Sequence, residues 1–128
     1  MSEPNGRLDG SVALVTGTST GLGRRFAQVL DAAGASVVLA SRRDEADRGL
    51  AATLHDALPV RCDVRRSADR EAAVQAALDR YGGIDILVNN AGIAHAGPAE
   101  DEPSEVLQDL VDTNLVALIE LSRLVGRH

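Results

Sequence analysis

A chain of 128 residues with 45% apolar side chains and a formal net charge of −6 is one domain at most. It fits a soluble globular fold, and its acidity argues against a partner bound by neutralising nucleic-acid phosphates. The single Cys62 excludes an intramolecular disulfide, residues 1–10 lack the apolar core of a signal peptide, and no apolar run nears the ~20 residues that span a bilayer. The expectation is a soluble cytoplasmic protein with neither a nucleic-acid nor a membrane partner.

Only Phe26 and Tyr81 are aromatic, so the core must come from Ala, Val, Leu and Ile, a palette suited to buried strands covered by helices. Residues 11–16 are nearly all apolar and run into Gly17, the pattern of a buried strand. Residues 22–33 then set Leu22, Phe26, Val29, Leu30 and Ala33 at the spacing of one helix face, closed by Gly34. Residues 36–40 read as a second buried strand, and 44 to about 54 as a more polar surface helix. A short third strand at 58–62 carries Pro59, which suits an edge position. Ser67 is expected to cap a helix running to about Tyr81, ended by Gly82-Gly83. A fourth strand follows at 84–89, and Pro103 or Ser104 opens one long helix to His128. Four strand–helix repeats without a linker predict a single α/β domain over residues 1–128, a Rossmann-type parallel sheet with helices on both faces.

The first strand-to-helix turn reads Thr16-Gly17-Thr18-Ser19-Thr20-Gly21-Leu22-Gly23. A phosphate site needs bare backbone, because glycines permit unusual φ angles and let a pyrophosphate approach closely. The helix that follows offers unpaired N–H groups and the positive end of its dipole. Three glycines between a buried strand and an amphipathic helix therefore point to dinucleotide binding rather than to a tight turn alone.

The T-G-x-x-x-G-x-G spacing resembles that of the short-chain dehydrogenase/reductase family. Asn89-Asn90-Ala91-Gly92 after the fourth strand looks like its N-N-A-G motif. Cys62-Asp63-Val64 matches the acidic residue that touches adenine, and Asp112-Thr113-Asn114-Leu115 matches the asparagine of its catalytic tetrad. The resemblance implies that Gly17, Ser19, Thr20, Gly21, Leu22 and Gly23 form the loop around pyrophosphate and ribose, and that Asp63 and Val64 hold the adenine. It places Asn90, Ala91 and Gly92 near the cofactor ribose, makes Asn114 a catalytic residue, and has Asn89 tie neighbouring strands together. Where NAD-binding relatives carry an acidic side chain at the end of the second strand, this chain has Ser41, then Arg42 and Arg43. A serine beside a guanidinium can bind a 2′-phosphate through charge-assisted hydrogen bonds, so NADP(H) is the favoured cofactor and NAD(H) the alternative.

The family's hydride-transfer chemistry belongs to a serine and a Tyr-x-x-x-Lys pair that lie beyond the helix asparagine. All thirteen basic residues here are arginines, so no register of this sequence assembles that pair. Tyr81 is followed four positions on by Asp85 and reads as a packing residue, Ser122 sits too deep in the last helix, and His95 reads as an exposed loop residue. His55 and His128 have no partner at ligand spacing, so no metal site is expected. The resemblance then implies the cofactor half of a carbonyl or alcohol oxidoreductase, with the family's strand order truncated to 3-2-1-4. A non-catalytic dinucleotide-binding or interaction module is the alternative, and an unrelated α/β nucleotide fold leaves the Asn-Asn-Ala-Gly and Asp-Thr-Asn matches unexplained. The apolar breadth of the last helix suggests a homo-oligomer formed through it.

Overall fold

The computed structural model describes residues 6–19, 21–92 and 103–128. Four strands form one sheet in the order β3-β2-β1-β4: β1 (Val12–Thr16), β2 (Ser36–Ser41), β3 (Ala57–Arg61) and β4 (Ile86–Val88). All three pairings are parallel, with Leu14 opposite both Val38 and Leu87. Pro59 lies on the edge strand β3 opposite Leu39, where a missing N–H costs least. The helices are α1 (Gly21–Ala32), α2 (Asp44–Ala51), α3 (Ser67–Tyr81), α4 (Ser104–Val111) and α5 (Ala117–Gly126), the last two joined by a π-helical turn at Asp112–Val116.

Strand alternation divides the core in two. Leu14, Val38 and Ala40 face α3 and α5, where Ala73, Val74, Ala77, Ala117 and Leu121 meet them. Val15, Val37 and Leu39 point the other way, onto Ala27 of α1 and Leu50 of α2. Helices therefore cover both faces, as the near-continuous apolar strands require. Each fully buried Val or Leu contributes about 1.5–3 kcal/mol of transfer free energy. Among the described residues no helix is long and apolar enough to cross a membrane.

Of the apolar row over residues 22–33, Leu22, Phe26 and Val29 are 66%, 38% and 51% exposed, whereas Leu30 and Ala33 turn inward with the buried Gly23 and Ala27. The reason is distance, since a Cβ on Gly23 would lie 2.0 Å from the Gly17 carbonyl oxygen, and only small residues let α1 come so close. Ser67 does not cap α3; Arg66 occupies the cap position with extended backbone and Ser67 is the first helical residue. The C-terminal helix runs without a break from Ser104 to Gly126, with a π-helical turn at Asp112–Val116 inside it that the sequence pattern does not signal.

At the amino end of the sheet, opposite the glycine loop, buried Asp31 of α1 accepts the His55 backbone N–H at 2.8 Å and lies 2.7 Å from His55 Nδ1. Asp56 beside it accepts the Tyr81 hydroxyl at 2.9 Å and the Ser36 hydroxyl at 2.8 Å. Polar side chains thus tie the α2–β3 connection to α1 and α3.

The substitution Gly23→Ala should lower the free energy of unfolding by about 1–3 kcal/mol, because Gly17 and the Asn90 amide must both move. Val29→Ser on the exposed row should change it by less than about 0.5 kcal/mol. Urea denaturation followed by circular dichroism distinguishes the two, and equal midpoints would refute the close-packing account.

Candidate cofactor site

The carboxyl ends of β1, β2 and β4 open into a cleft of about 560 Å³. Thr16, the last residue of β1, organises its centre. Its hydroxyl oxygen accepts the backbone N–H groups of Asn90 at 3.0 Å and Ala91 at 2.9 Å, and its proton is donated to the Val88 carbonyl at 3.4 Å. One buried hydroxyl therefore shapes the turn that follows β4. Asn90 returns the tie by donating its side-chain amide to the Gly17 carbonyl at 3.3 Å. Gly17 has φ +69°, and a Cβ there would sit 3.0 Å from Ala91 Cα. The loop after β1 and the turn after β4 are thus pressed together with no room for a side chain on Gly17.

Of the residues expected at a dinucleotide, Gly17, Ser19, Gly21, Leu22, Ser41, Arg42, Asp63, Val64, Asn90, Ala91 and Gly92 all line this cleft, with Arg43, Cys62 and Arg65 beside them. Gly23 lies beneath the loop as a packing residue. Thr20 and His95 fall outside the described residues.

At the end of β2 the serine already has partners. Ser41 donates its hydroxyl to Asp47 at 2.6 Å and accepts the Arg43 backbone N–H at 3.1 Å. Thr18 of the glycine loop donates to the other Asp47 oxygen at 2.7 Å. The serine proton is therefore already committed, while the Arg42 and Arg43 side chains beside it at the cleft are exposed.

The loop after β3 is held from two sides. From α3, Asp69 accepts the Asp63 backbone N–H at 2.9 Å, and the buried Arg70 donates Nη1 to the Val64 carbonyl at 2.8 Å. From above, Arg65 grips the Asp63 carboxylate with Nε at 3.0 Å and Nη2 at 2.8 Å, and its Nη1 reaches Asp109 of α4 at 2.9 Å. The Arg65 hydrogen bonds hold the Asp63 carboxyl down at about 2 against the opposing effect of burial. Cys62 is inert by comparison, its thiol pushed up to about 11 mainly by burial, with Asp69 and Asp63 adding to it.

Asn114 sits in the π-helical turn and lines a smaller adjoining cavity of about 130 Å³ with Thr16, Ala91 and Gly92. A Cβ on Gly92 would lie 3.4 Å from Asn114 Oδ1. Asn89 does not bridge strands; its amide reaches Ser122 of α5 at 3.4 Å, because β4 pairs only with β1 among the described residues. Tyr81 belongs to the far end of the sheet, and burial together with its hydrogen bond to Asp56 pushes its hydroxyl up to about 12.

The short chain dehydrogenase profile matches residues 11–128. The chain belongs to the short-chain dehydrogenase/reductase family. It is 41% identical over 115 residues to a 3-alpha-(or 20-beta)-hydroxysteroid dehydrogenase of Mycobacterium tuberculosis, covering 89% of this chain and 44% of that protein. It is 40% identical to a mitochondrial borneol dehydrogenase of Lavandula x intermedia, covering 88% of this chain and 44% of the relative. The crystal structure of a 3-ketoacyl-(acyl-carrier-protein) reductase from Brucella melitensis complexed with NADH superposes with a TM-score of 0.91 at 38% identity, over 94% of this chain and 51% of that one. The chain spans a little under half the length of the curated relatives it matches.

Within this short-chain dehydrogenase/reductase framework, the motif residues line the cleft while Thr16, Asp47, Asp69 and Arg70 hold them from behind. Thr16 carries a signal in sequence, as the residue before the first loop glycine. Asp47 and Arg70 carry none, since a charged residue in a polar helix reads as surface.

The Asp63–Arg65 pair fixes a pH dependence. With the folded carboxyl at about 2 and its ordinary value at 3.8, the stabilisation is complete above the higher value and is lost as pH falls through the lower. Arg65→Gln should move the Asp63 midpoint up toward its ordinary value in a carboxyl-carbon NMR titration. A midpoint that stayed near the wild-type position would show that another group holds the charge.

Proposed function

We propose that this chain forms the cofactor-binding part of an NADP(H)-dependent oxidoreductase that interconverts carbonyl and alcohol groups on a small molecule. The observation that carries the reading is the convergence of four separated segments on one cleft: the glycine loop, the end of β2, Asp63–Val64 and Asn90–Gly92. The cleft suits a dinucleotide, because Gly17 is a place where a side chain would collide with Ala91 and Asn90, leaving bare backbone at the start of α1. Gly17, Ser19, Thr20 and Gly21 would hold the pyrophosphate, with Leu22 covering it. Asp63 and Val64 would hold the adenine, and Asn90, Ala91 and Gly92 the ribose nearer the nicotinamide. A bound nicotinamide supplies the hydride-transferring carbon. Asn114 would serve the catalytic group from the adjoining cavity.

The preference for NADP(H) over NAD(H) is supported by the absence of a carboxylate at position 41 and by two exposed guanidinium groups at the cleft rim. The names of the relatives share an alcohol or ketone as the reacting group, and that is the substrate class proposed. One observation favours a second reading, a dinucleotide-binding or interaction module without turnover: the 128 residues contain no lysine, so the Tyr-x-x-x-Lys pair does not arise within them. Titration with NADPH under nicotinamide fluorescence should saturate, and Arg42→Glu should weaken NADPH about tenfold or more while sparing NADH. No change at millimolar NADPH would refute the cofactor reading. Oxidation of NADPH by this chain with a ketone present would refute the second reading.

We further propose self-association through the C-terminal helix and a reducing, cytoplasmic setting. Leu115, Leu118 and Ile119 are 54%, 43% and 45% exposed, more apolar surface than a solvated helix carries, and the one cysteine is a buried thiol. Light scattering should give a mass above the 13.4 kDa monomer, reduced to it by the double substitution Leu118→Glu, Ile119→Glu. A monomeric wild type would exclude the interface.

A further inference from the structure

Asp47 is fully buried on α2, one turn before the equally buried Leu50, at a position where an apolar side chain would complete the core. Each of its carboxylate oxygens instead accepts one hydroxyl, from Thr18 at 2.7 Å and from Ser41 at 2.6 Å. Burying a carboxylate is costly unless its hydrogen bonds are met, so the arrangement fixes those two hydroxyls as donors to Asp47. A serine hydroxyl has one proton and two lone pairs. In Ser41 the proton goes to Asp47 and one lone pair accepts the Arg43 backbone N–H at 3.1 Å. Ser41 is also one of the residues that line the cleft, and the one hydrogen-bonding capacity its hydroxyl keeps is a lone pair.

That polarity has a chemical consequence at the adenosine ribose. A free 2′-hydroxyl can donate to a lone pair, whereas a 2′-phosphate offers only acceptor oxygens and needs donors. We propose that Asp47 is a specificity-determining residue that acts through Ser41: by taking the serine proton it makes Ser41 an acceptor for the unphosphorylated ribose, and so moderates the preference for a 2′-phosphate that Arg42 and Arg43 create. The inference rests on the dinucleotide reading above. It gives this chain, from inside its core, the function that an acidic side chain at the end of the second strand performs directly in NAD-binding Rossmann folds. Thr18 shares the same carboxylate, so the glycine loop and the ribose position are held by one group.

The test uses the 128-residue chain and two ligands that differ only at the 2′ position, 5′-AMP and adenosine 2′,5′-bisphosphate, with affinities read by NMR titration. Ser41→Ala should weaken 5′-AMP about threefold to tenfold, the worth of one hydrogen bond, and leave the bisphosphate nearly unchanged. Asp47→Leu should release the serine proton and raise the bisphosphate-to-AMP affinity ratio by a similar factor. In the Ser41→Ala background the same Asp47→Leu change should leave the ratio where it was. A Ser41→Ala variant that loses bisphosphate affinity more than AMP affinity would overturn the proposal, since the serine would then be donating to phosphate. So would an Asp47→Leu variant that loses both affinities equally, which is the signature of a purely structural group. Should Asp47→Leu fail to fold, the sign of the Ser41→Ala effect decides alone. A wild type that binds neither ligand overturns the dinucleotide reading itself, whereas one that binds both with the opposite Ser41 preference overturns only the role of Asp47.

Discussion

The cleft depends on how closely α1 approaches the turn after β4. At the contact the Gly17 carbonyl, Gly23 and the Asn90 amide occupy space that would not admit one more methyl group. Thr16 completes the joint by receiving two backbone N–H groups on a single hydroxyl oxygen. A backbone donor buried without a partner costs free energy comparable to a lost hydrogen bond, so the turn at Asn90–Ala91 is shaped by Thr16. Everything that lines the cleft is arranged about this joint: the loop that leaves β1, the turn that leaves β4, and the helix that carries the loop's last glycine.

Around that joint the protein places ionisable groups where they act on neighbours rather than on solvent. Arg70, Asp47 and Asp31 are buried side chains whose hydrogen bonds hold backbone or hydroxyl groups in place. Arg65 differs in being only part-buried and in reaching two elements, the Asp63 loop and α4. Through it the segment after β3 is linked to the helix that continues into the turn bearing Asn114. Interruptions of this π-helical kind recur at functional positions in helices, and here it falls on the Asp-Thr-Asn segment.

Exposed charges are screened within about 10 Å, so the two guanidinium groups at the rim of the cleft set the local field there although the protein's net charge is −6. Membership of the short-chain dehydrogenase/reductase family accounts for the cleft's position at the carboxyl ends of the strands.

The sequence by itself determined the fold class and the segments that meet at the cleft, and its resemblance to the family implied the strand order. Glycine spacing, apolar runs and the Asn-Asn-Ala-Gly motif are local signals, and each is fixed by the conformation of a few consecutive residues. Only the tertiary structure decided which side chains stand behind those segments. It turned the apolar row of Leu22, Phe26 and Val29 outward, since close packing at Gly23 rotated α1 onto its small residues. It buried Asp47 and Arg70, which a polar helix pattern assigns to solvent. It also took the Ser41 proton for Asp47, six residues away in sequence. A hydroxyl's role as donor or acceptor depends on partners brought together by folding, and no periodicity in the chain records it.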